Sequence, residues 1–229
     1  MSGTKQVSEN SITSGVIWKQ LLIFFFPILI GTFFQQLYNT VDTIVVGQYV
    51  GTNALAAVGT TGTLINLLVG FFVGVSSGAT VIISQFFGAG DGKNVSKAVH
   101  TSMALALVGG LFIMVFGLLT SRPSLELLGV PEEIMDDALT YLNVYYAGII
   151  ASMIYNVGTG VLRAIGDSRM PLYVLIVCCL VNIVLDLLFV LAFHWDVFGV
   201  AFATVLSQVV SAVLIMLRLM LTRSPTGWS

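Results

Sequence analysis

The feature that most constrains this chain is a succession of long apolar segments that contain almost no charged residues. A helix needs roughly 20 mostly apolar residues to cross a bilayer, and six segments reach that length between turn and charge signals. Of the 229 residues, 57% are hydrophobic and 9% are charged, whereas a typical soluble domain has about 25% charged residues. The sequence therefore predicts an integral membrane protein. The predicted spans are residues 20–44, 54–86, 97–120, 138–160, 171–193 and 197–221.

The same composition excludes several classes of protein. A soluble enzyme needs a polar surface that this chain does not have, and a nucleic-acid-binding protein needs a basic excess, whereas 9 Lys and Arg stand against 11 Asp and Glu here. The alternating segments of a membrane barrel are absent from the sequence, and helices satisfy their own backbone in lipid. We expect an all-α membrane protein, a six-transmembrane-helix bundle. No zinc-ligand spacing, phosphate loop or nucleophile–base pair is visible, so we expect neither an enzyme nor a resident cofactor.

The distribution of Lys and Arg predicts the orientation. Residues 1–15 are polar, and no cleavage site follows the first apolar run, so we interpret them as a cytoplasmic N-terminal segment rather than a signal peptide. The transmembrane lobe then covers residues 16–221, and residues 222–229 form a cytoplasmic tail. Cationic residues concentrate on the cytoplasmic side, and with both termini inside only Arg122 lies outside. The inner cationic residues are Lys5, Lys19, Lys93, Lys97, Arg163, Arg169, Arg218 and Arg223.

Two acidic residues lie inside predicted spans, Asp42 near the end of the first and Asp186 in the fifth. An intramembrane carboxylate is costly and is a functional-site hypothesis by default. At 1.5 Å per helical residue, both fall in the outer half of the membrane at compatible depths. Asn182 shares a helix face with Asp186, and Thr204 lies at a similar depth. Two carboxylates in a low-dielectric environment share a proton or bind a cation such as Na⁺, which is the chemistry of an ion-coupling site.

Further polar residues accompany these two acids. Gln35, Tyr38 and Asn39 fall on one stripe of the first helix together with Asp42. Interhelical hydrogen bonding is the structural alternative for each polar residue taken singly. Pro27 interrupts the first span, where a helix kinks or flexes, so it is a candidate hinge. The remaining candidates for lining the cavity are Tyr141, just below the outer end of the fourth span, and Asn156, which lies deeper.

Three stretches taken together resemble the multidrug and toxic compound extrusion (MATE) family. The first runs from Pro27 as PILIGTFFQQLYNTVDTIVVGQYVG and continues to TNALAAVG. The second, VIISQFFGAGDGKNVSKAV, covers the end of the second span and the loop that follows it. The third comprises LRAIGDSRMPLYV, NIVLD and GVAFATVLSQ. Their order and spacing match across nearly the whole chain.

The resemblance implies the N-terminal six-helix lobe of a two-lobed, cation-coupled antiporter of the DinF-like branch. It would export hydrophobic or cationic organic compounds from the cytoplasm of a prokaryote across the plasma membrane, in exchange for H⁺ or Na⁺. By motif position, the cation pocket would map onto Asp42, Asn182, Asp186 and Thr204. Tyr141 and Asn156 would line or adjoin that pocket, and the bend of the first helix would map onto Pro27.

The resemblance also implies a second six-helix lobe that this chain does not contain. The expected partner is the missing C-terminal half, a second copy in a parallel dimer, or another chain. Three alternative functions stay open. They are an inactive or partner-dependent membrane fragment, a flippase for lipid or lipid-linked oligosaccharide, and an intramembrane aspartyl protease. Apart from Lys97 and Arg218 near the inner ends of their spans, the predicted spans contain no Lys or Arg, which counts against the flippase, and the position of Asp91 in an inner loop counts against the protease.

Overall fold

The computed structural model describes residues 17–223 as a bundle of seven α-helices. The predicted segment 1–15 and the last six residues of the chain lie outside the described residues. Two of the helices continue into a π-helical turn, α1 through Val46–Val50 and α6 through Leu188–Ala192. The helices are α1 (Ile17–Val45), α2 (Thr52–Gly88), α3 (Gly92–Leu127), α4 (Glu132–Ala147), α5 (Ile149–Ala164), α6 (Arg169–Leu187) and α7 (Asp196–Arg223).

The lengths of the helices agree with a membrane bundle. Within residues 17–223, four helices are long and apolar enough to cross a membrane, namely α2, α3, α7 and α6 with its π turn, and the α4–α5 pair is a fifth when taken as one span. The first predicted span, residues 20–44, lies within α1. Large apolar side chains such as Phe112 and Leu119 are exposed, as expected where the outer surface meets lipid. The chain has the predicted all-α membrane architecture.

The fourth predicted span is not one straight helix. Residues 138–160 are divided between α4 and α5, which meet at Gly148 with a bend of 51°. A Cβ atom at Gly148 would collide with the side chain of Val205 on α7. The hydropathy of the segment did not reveal this bend, because the bend depends on the close approach of a helix that follows later in the chain.

Apolar packing holds the bundle together. The largest buried cluster joins α2, α3, α4 and α5, with Phe72, Ala106, Leu142 and Val157 all fully or almost fully buried. At the end of the bundle that the sequence predicts to face the cytoplasm, called the inner end below, Asp91 accepts a hydrogen bond from the backbone N–H of Asn94 at 3.1 Å and so caps the start of α3. These elements form a fixed frame in which α1 packs against α6, and α6 against α7.

Candidate functional site

The two intramembrane acids meet where α1 packs against α6. Asp42 is 8% exposed and Asp186 is fully buried, and their carboxyl groups lie within reach of a mutual hydrogen bond. Asp42 lies in the last turn of α1 and Asp186 in the last turn of α6. The packing of these two helices therefore sets the two acids at the same level. The structure thus places side by side the two residues that the sequence analysis singled out by their cost in lipid.

Hydroxyl groups from two further helices surround this carboxyl pair. The Tyr38 hydroxyl donates a hydrogen bond to Thr204 Oγ1 at 3.4 Å, and Thr204 Oγ1 donates to the carbonyl of Val200 at 3.1 Å. The Tyr141 hydroxyl, buried on α4, lies near both carboxyl groups and Thr204. The buried site therefore combines side chains from α1, α4, α6 and α7.

Several polar atoms of the buried site have no hydrogen-bond partner. They include both oxygens of Asp186, Oδ1 of Asp42, and both side-chain polar atoms of Asn182. Among residues 17–223, the salt bridges join Arg122 to Glu126, Arg122 to Glu132, and Arg218 to Asp167, so none of them engages the carboxyl pair. Buried polar atoms are normally satisfied. The oxygens of carboxylate, amide and hydroxyl groups that cluster here suit a proton or a hard cation.

Apolar side chains close the site at the end of the bundle formed by residues 45–54 and 188–200, which the sequence predicts to be the outer end. Val46, Val190, Val197 and Val200 are buried there in one cluster with Tyr141. Aromatic rings between α6 and α7 extend the closure, since Phe189 of the π-helical turn and Trp195, just before α7, stack with ring centroids 5.1 Å apart. In the described conformation, apolar packing lies between the carboxyl pair and the outer end.

A separate polar cavity of about 460 Å³ opens toward the inner end of the bundle, near residues 164–171. It lies between α1, α2, α5 and α6. Of the predicted site residues, Pro27, Gln35 and Asn156 line this cavity. Tyr38 and Tyr141 belong instead to the buried carboxyl site. The side chain of Asn39 is exposed on α1 and does not contribute to the cavity lining, so the predicted stripe divides between the inner cavity, the carboxyl site and an exposed face.

Arg163 and Thr159 are two polar residues of the inner cavity that the sequence analysis did not predict. Arg163 lies in the last turn of α5 and lines the cavity, although its position beyond the predicted span suggested a loop residue. Thr159 also lines the cavity, and its hydroxyl oxygen is buried without a hydrogen bond. Their spacing of four residues on one helix places them on the same face. That spacing was the available signal, and it required α5 to be recognised as continuing to residue 164.

The family comparison decides which proteins this lobe is related to. The MatE family model matches residues 27–188, a range that includes both acids and the interface between α1 and α6. The chain belongs to the MatE family. The match confirms the resemblance that the three sequence stretches indicated.

Individual MatE relatives agree with the family match. The chain is 28% identical over 213 residues to the probable multidrug resistance protein YoeA of Bacillus subtilis, covering 91% of this chain and 46% of that protein. It is 32% identical over 196 residues to the probable multidrug resistance protein YpnP of the same species, covering 86% and 44%. A solved outward-facing MATE family transporter superposes with a TM-score of 0.85 at 30% identity, covering 91% of this chain and 46% of that one.

These matches cover most of this chain but less than half of each relative. The chain spans less than half the length of the relatives and of the solved transporter that it matches. It is therefore similar to one lobe of these MatE proteins. The two relatives are named as probable multidrug resistance proteins, and the solved structure is that of a multidrug resistance transporter.

Proposed function

We propose that this chain is the N-terminal lobe of a cation-coupled antiporter and that Asp42 and Asp186 form its ion-binding site. The observation that carries the proposal is the pair of buried carboxyl groups in contact within an apolar bundle. Two such groups do not both stay ionised in a low-dielectric environment without a shared proton or a bound cation. A site of this kind gains or loses charge whenever the coupling ion arrives or leaves.

The coupling ion is H⁺ or Na⁺. A proton would be shared between the two carboxyl groups, whereas Na⁺ would draw additional oxygens from Asn182, Thr204 and Tyr141, which lie on the elements around the pair. Exchange requires that the ion binds one conformation of the transporter better than the other. Loss of charge at Asp42 would alter the packing of α1 on α6, and Pro27 on α1 would serve as the hinge for that movement.

The complete transporter would expel hydrophobic or cationic organic compounds from the cytoplasm, and a second six-helix lobe would close the other side of the central cavity. This lobe is a C-terminal half, a second copy in parallel orientation, or another chain. We place the protein in the plasma membrane of a prokaryote with both termini in the cytoplasm, because eight of its 9 cationic residues then lie inside. The names of bacterial relatives support both the substrates and the location.

Efflux in the native host tests this proposal. Cells that carry Asp42→Asn or Asp186→Asn would be loaded with ethidium, and export would be followed by fluorescence. Both variants should export at the rate of a deletion strain while the protein stays in the membrane at normal amounts. The matched control is Asp91→Asn, which changes the same functional group but keeps a side chain that caps α3 well. Unchanged efflux in both site variants would refute the ion-site assignment.

The same cells identify the coupling ion. A protonophore should stop ethidium export if H⁺ is coupled, whereas replacing external Na⁺ by choline should stop it if Na⁺ is coupled. Export that continues under both treatments would contradict coupling to either ion. Detection with an antibody against residues 1–15 shows the size of the functional protein. A band near 24.5 kDa would call for cross-linking to find the partner lobe, and a band of twice that size would show both lobes on one chain.

A further inference from the structure

The inner cavity is lined by a cationic residue that takes no part in the proposed ion site. Among the described residues that line it, Arg163 is the only charged one, and no carboxylate is among them. Its volume of about 460 Å³ falls in the range of small-molecule pockets, which is about 300–1,000 Å³. The inference below rests on the proposed transport function and concerns the chemical class of compound that this cavity accepts.

The guanidinium group of Arg163 is available to a ligand. Among residues 17–223 no carboxylate forms a salt bridge with it. The carboxylate nearest along the chain, Asp167, is already engaged, because it accepts a hydrogen bond from Arg218 at 3.1 Å and another from the backbone N–H of Met170 at 3.1 Å. The cavity therefore presents a positive charge at its inner mouth that the lobe itself does not neutralise.

A second hydrogen-bond donor without a partner lies beside Arg163. The Thr159 hydroxyl lies one helical turn before Arg163, and the residue is buried, with 5% of its surface exposed. The hydroxyl oxygen has no hydrogen-bond partner, although the Tyr155 side chain is close by. Two hydroxyl groups across the cavity on α2 are satisfied within the protein. Ser76 donates to the carbonyl of Asn156 at 2.8 Å, and Thr80 donates to the carbonyl of Ser76 at 2.8 Å. Arg163 and Thr159 therefore place two unused donors on one face of α5.

Apolar side chains form part of the remaining wall, alongside the polar side chains of Gln35 and Asn156. Val69 and Val73 of α2 face Leu172 and Leu175 of α6 across it. A cavity with one cationic end, an unused hydroxyl beside that end and apolar walls beyond it matches an amphiphile that carries an anionic group. A cationic compound would bring its charge toward Arg163 without a carboxylate in the lining to offset it.

We propose that the inner cavity binds an amphiphilic anion, with a carboxylate, sulfonate or phosphate group against Arg163 and Thr159 and an apolar body along α2 and α6. This assigns the lobe a further class of compound, beside the hydrophobic or cationic compounds of the proposed efflux function. The same anionic chemistry is offered by soluble organic anions and by the headgroups of acidic lipids in the inner leaflet.

Binding of two related dyes to the purified chain tests the proposal. The chain would be placed in nanodiscs of phosphatidylcholine, and the fluorescence anisotropy of anionic fluorescein and cationic rhodamine 123 would be titrated against empty nanodiscs. Fluorescein should bind more tightly than rhodamine 123. Arg163→Gln should weaken fluorescein binding by about tenfold or more, and Thr159→Val by about threefold, as expected for a charged and a neutral hydrogen bond.

Arg122→Gln is the matched control, because it removes the same charge from an exposed residue near the opposite end of the bundle. It should leave the affinity for fluorescein unchanged. Thr159→Val keeps the test decisive if Arg163→Gln fails to fold. The proposal is overturned by tighter binding of rhodamine 123, by absent fluorescein binding, or by equal affinity of wild type and the folded cavity variants.

Replacing phosphatidylcholine by phosphatidylglycerol separates the two sources of the anion. If acidic lipid occupies the cavity, fluorescein affinity should fall more in the wild type than in Arg163→Gln. If a soluble anion is the ligand, the fall should be equal in both. None of these measurements uses an ion gradient, so failure of dye binding leaves the efflux test of Asp42 and Asp186 untouched, and failure of the efflux test leaves the dye result standing.

Discussion

At the scale of single residues, the carboxyl pair is the most costly feature of the lobe. Asp42 and Asp186 are buried next to each other without a cationic partner among the described residues. Packing of apolar side chains in their place would serve the fold better, since a buried charge carries a large desolvation cost. Residues kept at such a cost are typical of functional sites in membrane proteins.

This cost leads to a stability prediction. Asp42→Asn and Asp186→Asn should each raise the melting temperature of the purified chain in detergent, because the amide removes a buried charge at nearly unchanged volume. A gain of about 1 kcal/mol corresponds to roughly 2–4 °C for a chain of this size. The gain should shrink as the pH is lowered, since the wild-type carboxyl groups then take up protons themselves. Differential scanning fluorimetry measures both effects.

Asp91→Asn provides the comparison for that experiment, because Asp91 caps α3 near the inner end and lies outside the pair. Its melting temperature should stay within about 1 °C of the wild type, since Asn and Asp cap helices almost equally well. A lower melting temperature in both site variants would mean that the two carboxylates stabilise the fold, contrary to the coupling model.

At the scale of elements, the bend between α4 and α5 fixes the geometry of the bundle. Gly148 at the bend has no room for a side chain, because a Cβ atom there would collide with Val205 of α7. By turning the chain at this residue, the fold seats Tyr141 of α4 beside the carboxyl pair and directs α5 to the inner cavity. The bend thus connects the two polar regions of the lobe.

Substitution at the bend should therefore be destabilising. We expect Gly148→Ala to lower the free energy of unfolding by about 1–3 kcal/mol through overpacking against α7. Gly74→Ala is the matched control, because Gly74 lies in the interior of α2 with open space around it, and Ala favours a helix by up to about 1 kcal/mol. Unfolding in a denaturing detergent series compares the two. Equal stability of both variants would contradict the assigned close contact.

At the scale of the whole molecule, the chain corresponds to about half of a larger membrane protein. The chain covers 46% of the solved transporter with which it superposes at a TM-score of 0.85. In the two-lobed assembly that we propose, the inner cavity and the proposed hinge at Pro27 would lie beside a second lobe and reach their working form only there. The orientation of the lobe can be tested without that assembly.

Cysteine labelling tests the orientation. The native Cys178 and Cys179 are buried, which leaves a low background for a membrane-impermeant maleimide. Glu126→Cys should react in intact cells, whereas Lys93→Cys should react only after permeabilisation, because the excess of Lys and Arg places the loop before α3 inside. The opposite pattern would invert the proposed topology and with it the direction assigned to the cavity.

Much of this protein is determined by sequence alone. Long apolar runs in lipid leave only helices as satisfied structures, so the all-α bundle follows directly from the sequence. The cost of burying charge singled out Asp42 and Asp186 before any packing was known, and the spacing of four residues put Asn182 on the face of Asp186. These inferences depend only on local pattern and on the solvent that surrounds the chain.

The tertiary structure decided everything that depends on contacts between distant segments. Contact between Asp42 and Asp186 requires the packing of α1 on α6, and the division of residues 138–160 into two helices requires the approach of Val205 to Gly148. The placement of Arg163 in a cavity and of Asn39 on an exposed face likewise depends on which helix surface meets a neighbour. Hydropathy measures how far a residue prefers lipid or protein to water, whereas the identity of its neighbour is fixed only when the helices pack.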